Sequence, residues 1–530
     1  VVPWPPWKFL NPRVLYKAPE VHEALMGLLC HGNSEIQKSA LKALFTWKSA
    51  SITPYQENLL NILDESRFKD ELSVFVRTGG DDSLIEEAHR VELVPVLLRL
   101  LYGRMISKAG ASSSQAGQAG RRKAVLRTLS QLPDKEFEIF MQVSFGALGE
   151  LDLVQDNQVN QQAFEQDLVS PRRQTGLLKM IETVFETLQS RMVPYAEKSM
   201  QVVLYCLVRA CREIEKDQAP AADTPEGRLL TVLRNIRHTC IRCLELIFSN
   251  TQDQDWSPYV RTIYEDVINP RLENFATETA QGVSGLLKLF HVWASAPKSS
   301  FYLVQYNDAL LKKVVDCLGV DSARDEVKVF VMDEILVPLI NLSTGKELQE
   351  QEKMSDIPAD EIRSEVLSPY IEHTLSHLSR LLKRGPSRTV LISGVQTLSL
   401  LAPCVESSEE TTSLISITTY LLRQPPDRVS PRTKSGLLKS LEHFLPLFNP
   451  QEDANLSQEV FEAVSSMFDY FKDNANREVL ARVFTAFAKR DEELVQVAAL
   501  CEDLNSMSTK RLEVDYDRRL SAFREVNENL

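Results

Sequence analysis

The chain has 530 residues, 43% of them apolar and 25% charged, with 19 Gly and 25 Pro. These values exclude low-complexity disorder and a turn-dense all-β architecture, and favour helices with short connections. Sixty Lys and Arg against 73 Asp and Glu give a net charge of −13, so a uniformly basic nucleic-acid coat is excluded and any phosphate contact must be local.

The amino end, VVPWPPWKFLNP, has neither an apolar signal core nor an initiator Met, which predicts a piece of a longer chain. Residues 18–49 then hold two amphipathic stretches joined by HGNSE. Val21, Leu25, Leu28 and Leu29 form one stripe, and Ile36, Ala40, Leu41, Leu44 and Trp47 form the other. Pro19 suits a first helical turn, and Asn33 or Ser34 suits a cap. Farther on, residues 170–188 (SPRRQTGLLKMIETVFETL) and 430–448 (SPRTKSGLLKSLEHFLPLF) share eight of nineteen positions, with an echo, SGLLKLF, at 284–290. Gly176, Gly285 and Gly436 recur at one place in these copies. A helical Gly costs up to about 1 kcal/mol relative to Ala, so close approach of a neighbouring helix is expected there and at Gly394. Further helical patterns run through 229–249, 258–276, 324–342, 456–472 and 477–505. Residues 367–405 repeat the opening plan around a GPS turn, and the uncharged run 389–405 is too short and polar for a bilayer.

Pairs of about 35 to 40 residues have the HEAT or armadillo period, and roughly nine would fit. The fold class read here is all-α, a HEAT/armadillo-like α-solenoid of stacked antiparallel helix pairs, continuous over 1–530 rather than split into globules. At about 10 Å per packed helix this would be a curved rod on the order of 90 Å long. Three polar segments interrupt it: KAGASSSQAGQAG (108–120), expected to be a flexible loop; DQAPAADTPEG (217–227); and STGKELQEQEKMSDIPAD (343–360). The closing stretch STKRLEVDYDRRLSAFREVNENL reads as a charged helix whose few apolar residues need a following repeat.

No catalytic constellation is expected, since no P-loop, GxGxxG or GxSxG pattern occurs. Eight dispersed cysteines point to a reducing compartment. Cys240 and Cys243, near His238, continue a stripe of Leu229, Leu233, Ile236 and Ile247, so they read as core residues rather than metal ligands. His373 and His377 stand one helical turn apart, as in paired-His motifs. The stripe Ile371, Leu375, Leu378, Leu382 directs both rings away from the core, to a solvated or inter-repeat face, and no third ligand is in view; neither a metal nor a cofactor is expected. Thr53, Ser170, Thr224, Ser257, Ser368 and Ser430 each precede Pro; most read as helix caps rather than phosphorylation sites, with Thr224, in a linker, the exception. One charge inversion stands out. Val94 to Pro133 contains no acid, while Arg99, Arg104, Lys108, Arg121, Arg122, Lys123 and Arg127 are all basic. Two readings stay open: an RNA-phosphate-binding edge, or a basic helix end meeting an acidic neighbouring repeat. Base stacking is not expected, because only Tyr102 interrupts the group.

Residues 19–75 (PEVHEALMGLLCHGNSEIQKSALKALFTWKSASITPYQENLLNILDESRFKDELSVF) resemble the opening of the DRIM (down-regulated in metastasis) domain. VELVPVLLRLLYGRMISKAG and GRRKAVLRTLSQLPDKEFEIFM resemble its next block, and LEVDYDRRLSAF (512–523) a later one. The resemblance is concentrated in 1–145 and near 510–525, with further helical repeats from 146 to 530. It implies membership of a family of very large HEAT-repeat scaffolds associated with U-three small nucleolar RNA. By that resemblance the chain is expected to be non-enzymatic, nuclear and nucleolar. It would be part of the small-subunit processome, contacting pre-ribosomal RNA or the U-three particle and other processome proteins, with no membrane or small-molecule substrate. The rival readings are an importin-like nuclear transport receptor and a regulatory HEAT-repeat subunit of an enzyme complex.

Overall fold

The computed structural model describes residues 15–75, 84–107, 115–216, 224–345, 357–449, 453–489, 492–508 and 513–529. Contacts divide the chain into two units, Val1–Val267 and Ile268–Leu530. The first holds α1 (Ala18–Leu28), α2 (Ser34–Leu44), α3 (Gln56–Ile62), α4 (Phe68–Phe75), α5 (Glu87–Ile106), α6 (Gln115–Gln131), α7 (Asp134–Phe145), α8 (Pro171–Leu188), α9 (Ala196–Lys216), α10 (Pro225–Asn250) and α11 (Ser257–Ile263). The second opens with α12 (Asn269–Leu272), α13 (Phe275–Thr279), α14 (Gly285–Ala294), α15 (Pro297–Ser300), α16 (Ala309–Asp316), α17 (Asp325–Phe330), α18 (Val337–Thr344) and α19 (Ala359–Ile362). It continues with α20 (Ile371–Lys383), α21 (Arg388–Leu401), α22 (Ser408–Leu422), α23 (Pro431–Phe444), α24 (Ala454–Tyr470), α25 (Asn474–Ala488), α26 (Glu492–Leu504) and α27 (Tyr516–Asn529).

Local chemistry sets many of these starts. Free N–H groups in a first helical turn need acceptors. Asn33 accepts from the Glu35 amide at 2.9 Å, Asp453 from Leu456 and Asp473 from Asn476, and Ser407 and Glu410 form a reciprocal capping box. Of the six Ser/Thr-Pro pairs, three place the hydroxyl residue at the cap and Pro in the first turn. Thr224 and Ser430 also accept a backbone N–H there, whereas Ser170 makes no side-chain cap bond. Thr53, Ser257 and Ser368 lie one residue inside their helices instead.

Apolar faces then drive stacking. In the first unit α4, α6, α8 and α10 pack in succession as one row, and α9 closes on both α8 and α10. In the second, α20, α22 and α24 form one row and α21, α23 and α25 the other, with α20 on α21, α22 on α23 and α24 on α25. The two-row order of the second unit is the α-solenoid arrangement, and in both units the packed helix faces enclose a buried apolar interior. Among the described residues the strands are one two-residue hairpin, Val154–Gln155 with Gln158–Val159, turned by Asp156 and Asn157 at positive φ. No described helix is long and apolar enough to cross a membrane.

The structure corrects several sequence readings. Residues 115–120 of the expected loop are the first turns of α6, and 108–114 lie outside the described residues, as do 217–223 and 346–356. The pattern 477–505 is two helices, α25 and α26. Leu229 is exposed and Leu230 takes its place in the core. The glycine expectation holds at Gly394, where a Cβ would meet Leu382 at 2.7 Å. Gly436 faces open space and Gly176 makes ordinary contact. Gly285 begins its helix behind the Ser284 cap rather than lying inside it.

A recurrent irregularity has a clear cause. Val331–Leu336 and Arg363–Leu367 are π-helical, and each is followed within two residues by a proline, Pro338 and Pro369. The same order occurs at Tyr264–Ile268 and Pro270. Proline lacks the N–H that the carbonyl four residues earlier would accept, and a π-turn shifts the register by one to absorb the mismatch. For Pro338 that carbonyl belongs to Glu334, and the His291 ring Nδ1 on α14 bonds it at 2.6 Å.

Candidate nucleic-acid interface

The basic group of 94–133 falls on α5 and α6, which pack on each other. Those helices turn its members in different directions. Arg104 and Arg121 point inward, their side chains only 3% and 6% exposed, and both grip Glu65 from the connection between α3 and α4. Arg104 Nη2 donates to Glu65 Oε2 and Arg121 Nη1 to Oε1, each at 2.7 Å, and the Arg104 guanidinium lies 5.0 Å from the Phe68 ring centre. Burial raises the Glu65 carboxyl, but the two guanidinium bonds outweigh it and hold the group below the usual carboxylate range. Arg99 donates to the Pro95 carbonyl at 2.9 Å, and Arg122 to Met105 at 3.3 Å. Burial also lowers the Arg122 pKa. Lys108 lies outside the described residues. Lys123 and Arg127 remain, both exposed one turn apart on α6.

The six described members thus do not form one face. Arg104 and Arg121 meet an acidic neighbour, and the exposed members among the described residues are Lys123 and Arg127. Exposed Lys69 reaches the start of α6, its amine 2.9 Å from where a Cβ on Gly120 would stand. Glu65 could not be found from local pattern, since it is 39 residues from Arg104 and 56 from Arg121.

Cys240 and Cys243 are fully buried, as the apolar stripe implied, and burial raises both thiols well above their ordinary values. His373 and His377 lie on a face packed against α16, the inter-repeat alternative, but the expectation that no third ligand is in view does not hold. His377 is 9% exposed and both rings converge on Asp316, a third potential ligand from α16. Desolvation and the neighbouring His373 lower the His377 pKa, against the pull of Asp316. Helix α20 is covered by α16 as well as by α22, so its buried arc is wider than the one apolar stripe and takes in His377. In the same unit a cleft of about 130 Å³ is lined by Gly319, Asp321, Asp325, Lys328, Arg380 and Arg384. It is well below the roughly 300 Å³ at which small-molecule pockets begin, and Arg384 is paired with Asp321.

Comparison with known proteins adds the family. "U3 small nucleolar RNA-associated protein 20" of Schizosaccharomyces pombe is 27% identical over 513 residues, 96% of this chain and 20% of that protein. The protein of the same name in Saccharomyces cerevisiae is 26% identical over 535 residues, 98% of this chain and 20% of its own length. The chain therefore spans about one fifth of these curated relatives. A solved structure titled "Crystal structure of Kap121p" aligns with 98% of this chain and 53% of its own, with a TM-score of 0.34 and 13% identity. The family described as "U3 small nucleolar RNA-associated protein 20, N-terminal" matches residues 7–530, and the chain belongs to that family.

Proposed function

We propose that this chain is a non-enzymatic scaffold segment of the small-subunit processome, supporting pre-rRNA processing and small-subunit assembly in the nucleolus. The observation that carries the reading is the family match over residues 7–530. The relatives' names associate them with U3 small nucleolar RNA, which favours pre-ribosomal RNA or the U3 particle as a partner, together with other processome proteins. Stacked helix pairs suit this work, because they bury their apolar sides on each other and leave a large polar exterior for contact.

RNA contact is assigned to Lys123 and Arg127, the exposed members among the described residues of the basic group, with Lys69 near Gly120 of their helix. Phosphate contacts of this kind give affinity without sequence readout. The test is binding of small-subunit pre-rRNA by the wild-type chain and by K123E/R127E over a range of salt concentrations. Loss of two phosphate contacts should weaken binding and reduce the log–log salt slope by about 1.4 to 1.8. An unchanged slope and affinity would remove RNA from this surface. Co-purification of processome proteins with the same chain tests the scaffold role separately, and their absence would sink it.

A further inference from the structure

Asp316 is the last residue of α16, and α16 packs against α20, where His373 and His377 stand one turn apart. His373 Nε2 lies 2.9 Å from Asp316 Oδ1, and His377 Nε2 lies 3.2 Å from the same oxygen. The two rings are 4.6 Å apart between centres, and one donor atom from each of the three residues lies within 4.8 Å of the others. Tetrahedral zinc has ligand bonds of about 2.0–2.2 Å, so neighbouring ligand atoms are separated by about 3.3–3.5 Å. The His377–Asp316 spacing is already near that value, and the His373–Asp316 spacing, a hydrogen bond here, is shorter and would open slightly around a metal.

The surroundings hold this geometry. The Tyr370 hydroxyl, just ahead of α20, donates to the Asp308 carbonyl at 2.9 Å and ties the starts of the two helices together. Gly319 makes room for the inner ring, because a Cβ there would stand 2.7 Å from His377 Nδ1. His377 is the buried member, while the side chains of His373 and Asp316 are each 33% exposed, so solvent reaches one side of the group.

We propose that Asp316, His373 and His377 form a binding site for a divalent transition metal, zinc being the occupant that best suits two imidazoles and one carboxylate. Water takes the fourth position on the open side. The metal would clip α16 to α20, so its binding free energy adds to the stability of this part of the second unit. Two features weaken the site relative to a closed structural one. Arg380 is one turn away on the same helix and opposes a cation. His377 Nδ1 is buried with no hydrogen-bond partner among the described residues, so its N–H would lack the acceptor that usually orients a ligating ring.

The experiment is calorimetric titration of the tag-free, metal-stripped 530-residue chain with zinc chloride under reducing conditions. Zinc K-edge absorption is then measured on the loaded protein. One equivalent should bind, the spectrum should show two imidazoles with oxygen in the shell, and the thermal midpoint should rise. Asp316→Asn keeps an acceptor for the rings but is a poor ligand. It and His373→Gln should each weaken zinc binding by more than the roughly 10–100-fold typical of losing an outer-shell partner. No zinc uptake by the wild-type chain, sulfur in the zinc shell, or undiminished binding in both variants would overturn the proposal. If a variant loses helicity, the absorption spectrum of the wild-type chain still decides.

Discussion

Gly103 and Gly436 both sit in long helices, yet their neighbourhoods give opposite expectations. A Cβ at Gly103 would lie 2.2 Å from Gln37 Nε2 and 2.7 Å from the His31 carbonyl oxygen. Gln37 cannot easily yield, being 1% exposed and bonded through Nε2 to the carbonyls of Leu29 and Leu100 at 2.6 and 3.2 Å. Gly103→Ala should therefore destabilise the first unit by about 1–3 kcal/mol. Gly436→Ala, in open space, should be neutral or gain up to about 1 kcal/mol of helix propensity. Urea midpoints of the two variants check this, and equal shifts would refute it. Glu65 makes a second residue-scale case. Its folded pKa is lowered, so its stabilisation is complete above the unfolded value of about 4.3 and fades as pH falls through the lower folded value. Glu65 itself is half exposed, so Glu65→Gln should cost about 1–2 kcal/mol at pH 7. That deficit should shrink in unfolding titrations carried from pH 5 towards pH 3. Neither Gln37 nor Glu65 was legible in the sequence, because each also needs a partner from another helix pair: Leu100 for Gln37, and Arg104 and Arg121 for Glu65.

Helices and their starts were more readable. The stretch 18–49 resolves into α1 and α2 with Asn33 as the cap, and 367–405 into α20 and α21 around the GPS turn. Apolar spacing and capping chemistry act over a few residues, and those few residues are adjacent in the chain. Side-chain direction on interior helices was less readable, since α20 is packed on more than one side. Lys434 and Gln174 show this again: they occupy the same place in the SPR repeats and are 2% and 3% exposed despite their polarity. The Lys434 amine rests 4.6 Å from the Tyr470 ring centre, and burial lowers its pKa. The π-turns were also hidden, although proline announces where each must fall. His291→Leu should cost about 1 kcal/mol by removing the bond to Glu334. In a Pro338→Ala background, where residue 338 regains an N–H, the cost should be smaller. A double-mutant cycle measures the difference, and strict additivity would show that His291 does not compensate for the proline.

At the scale of the whole chain, the all-α class and the stacked-pair plan were legible because period and composition are properties of the entire sequence. The basic group was visible as a charge inversion, but its division into buried Arg104 and Arg121 and exposed Lys123 and Arg127 depends on the packing of α5 on α6. A net charge of −13 makes that division consequential, because in the proposed phosphate contact two exposed cations would work against a repulsive background. The two-row order has a mechanical corollary. In the second unit α22 meets α20, α23 and α24, but the helices farther along do not share its main contacts. A pull on one end is thus handed on pair by pair, each seam yielding slightly, as in a spring built of small links. Such compliance would share a displacement among several seams, without any single seam bearing the full strain.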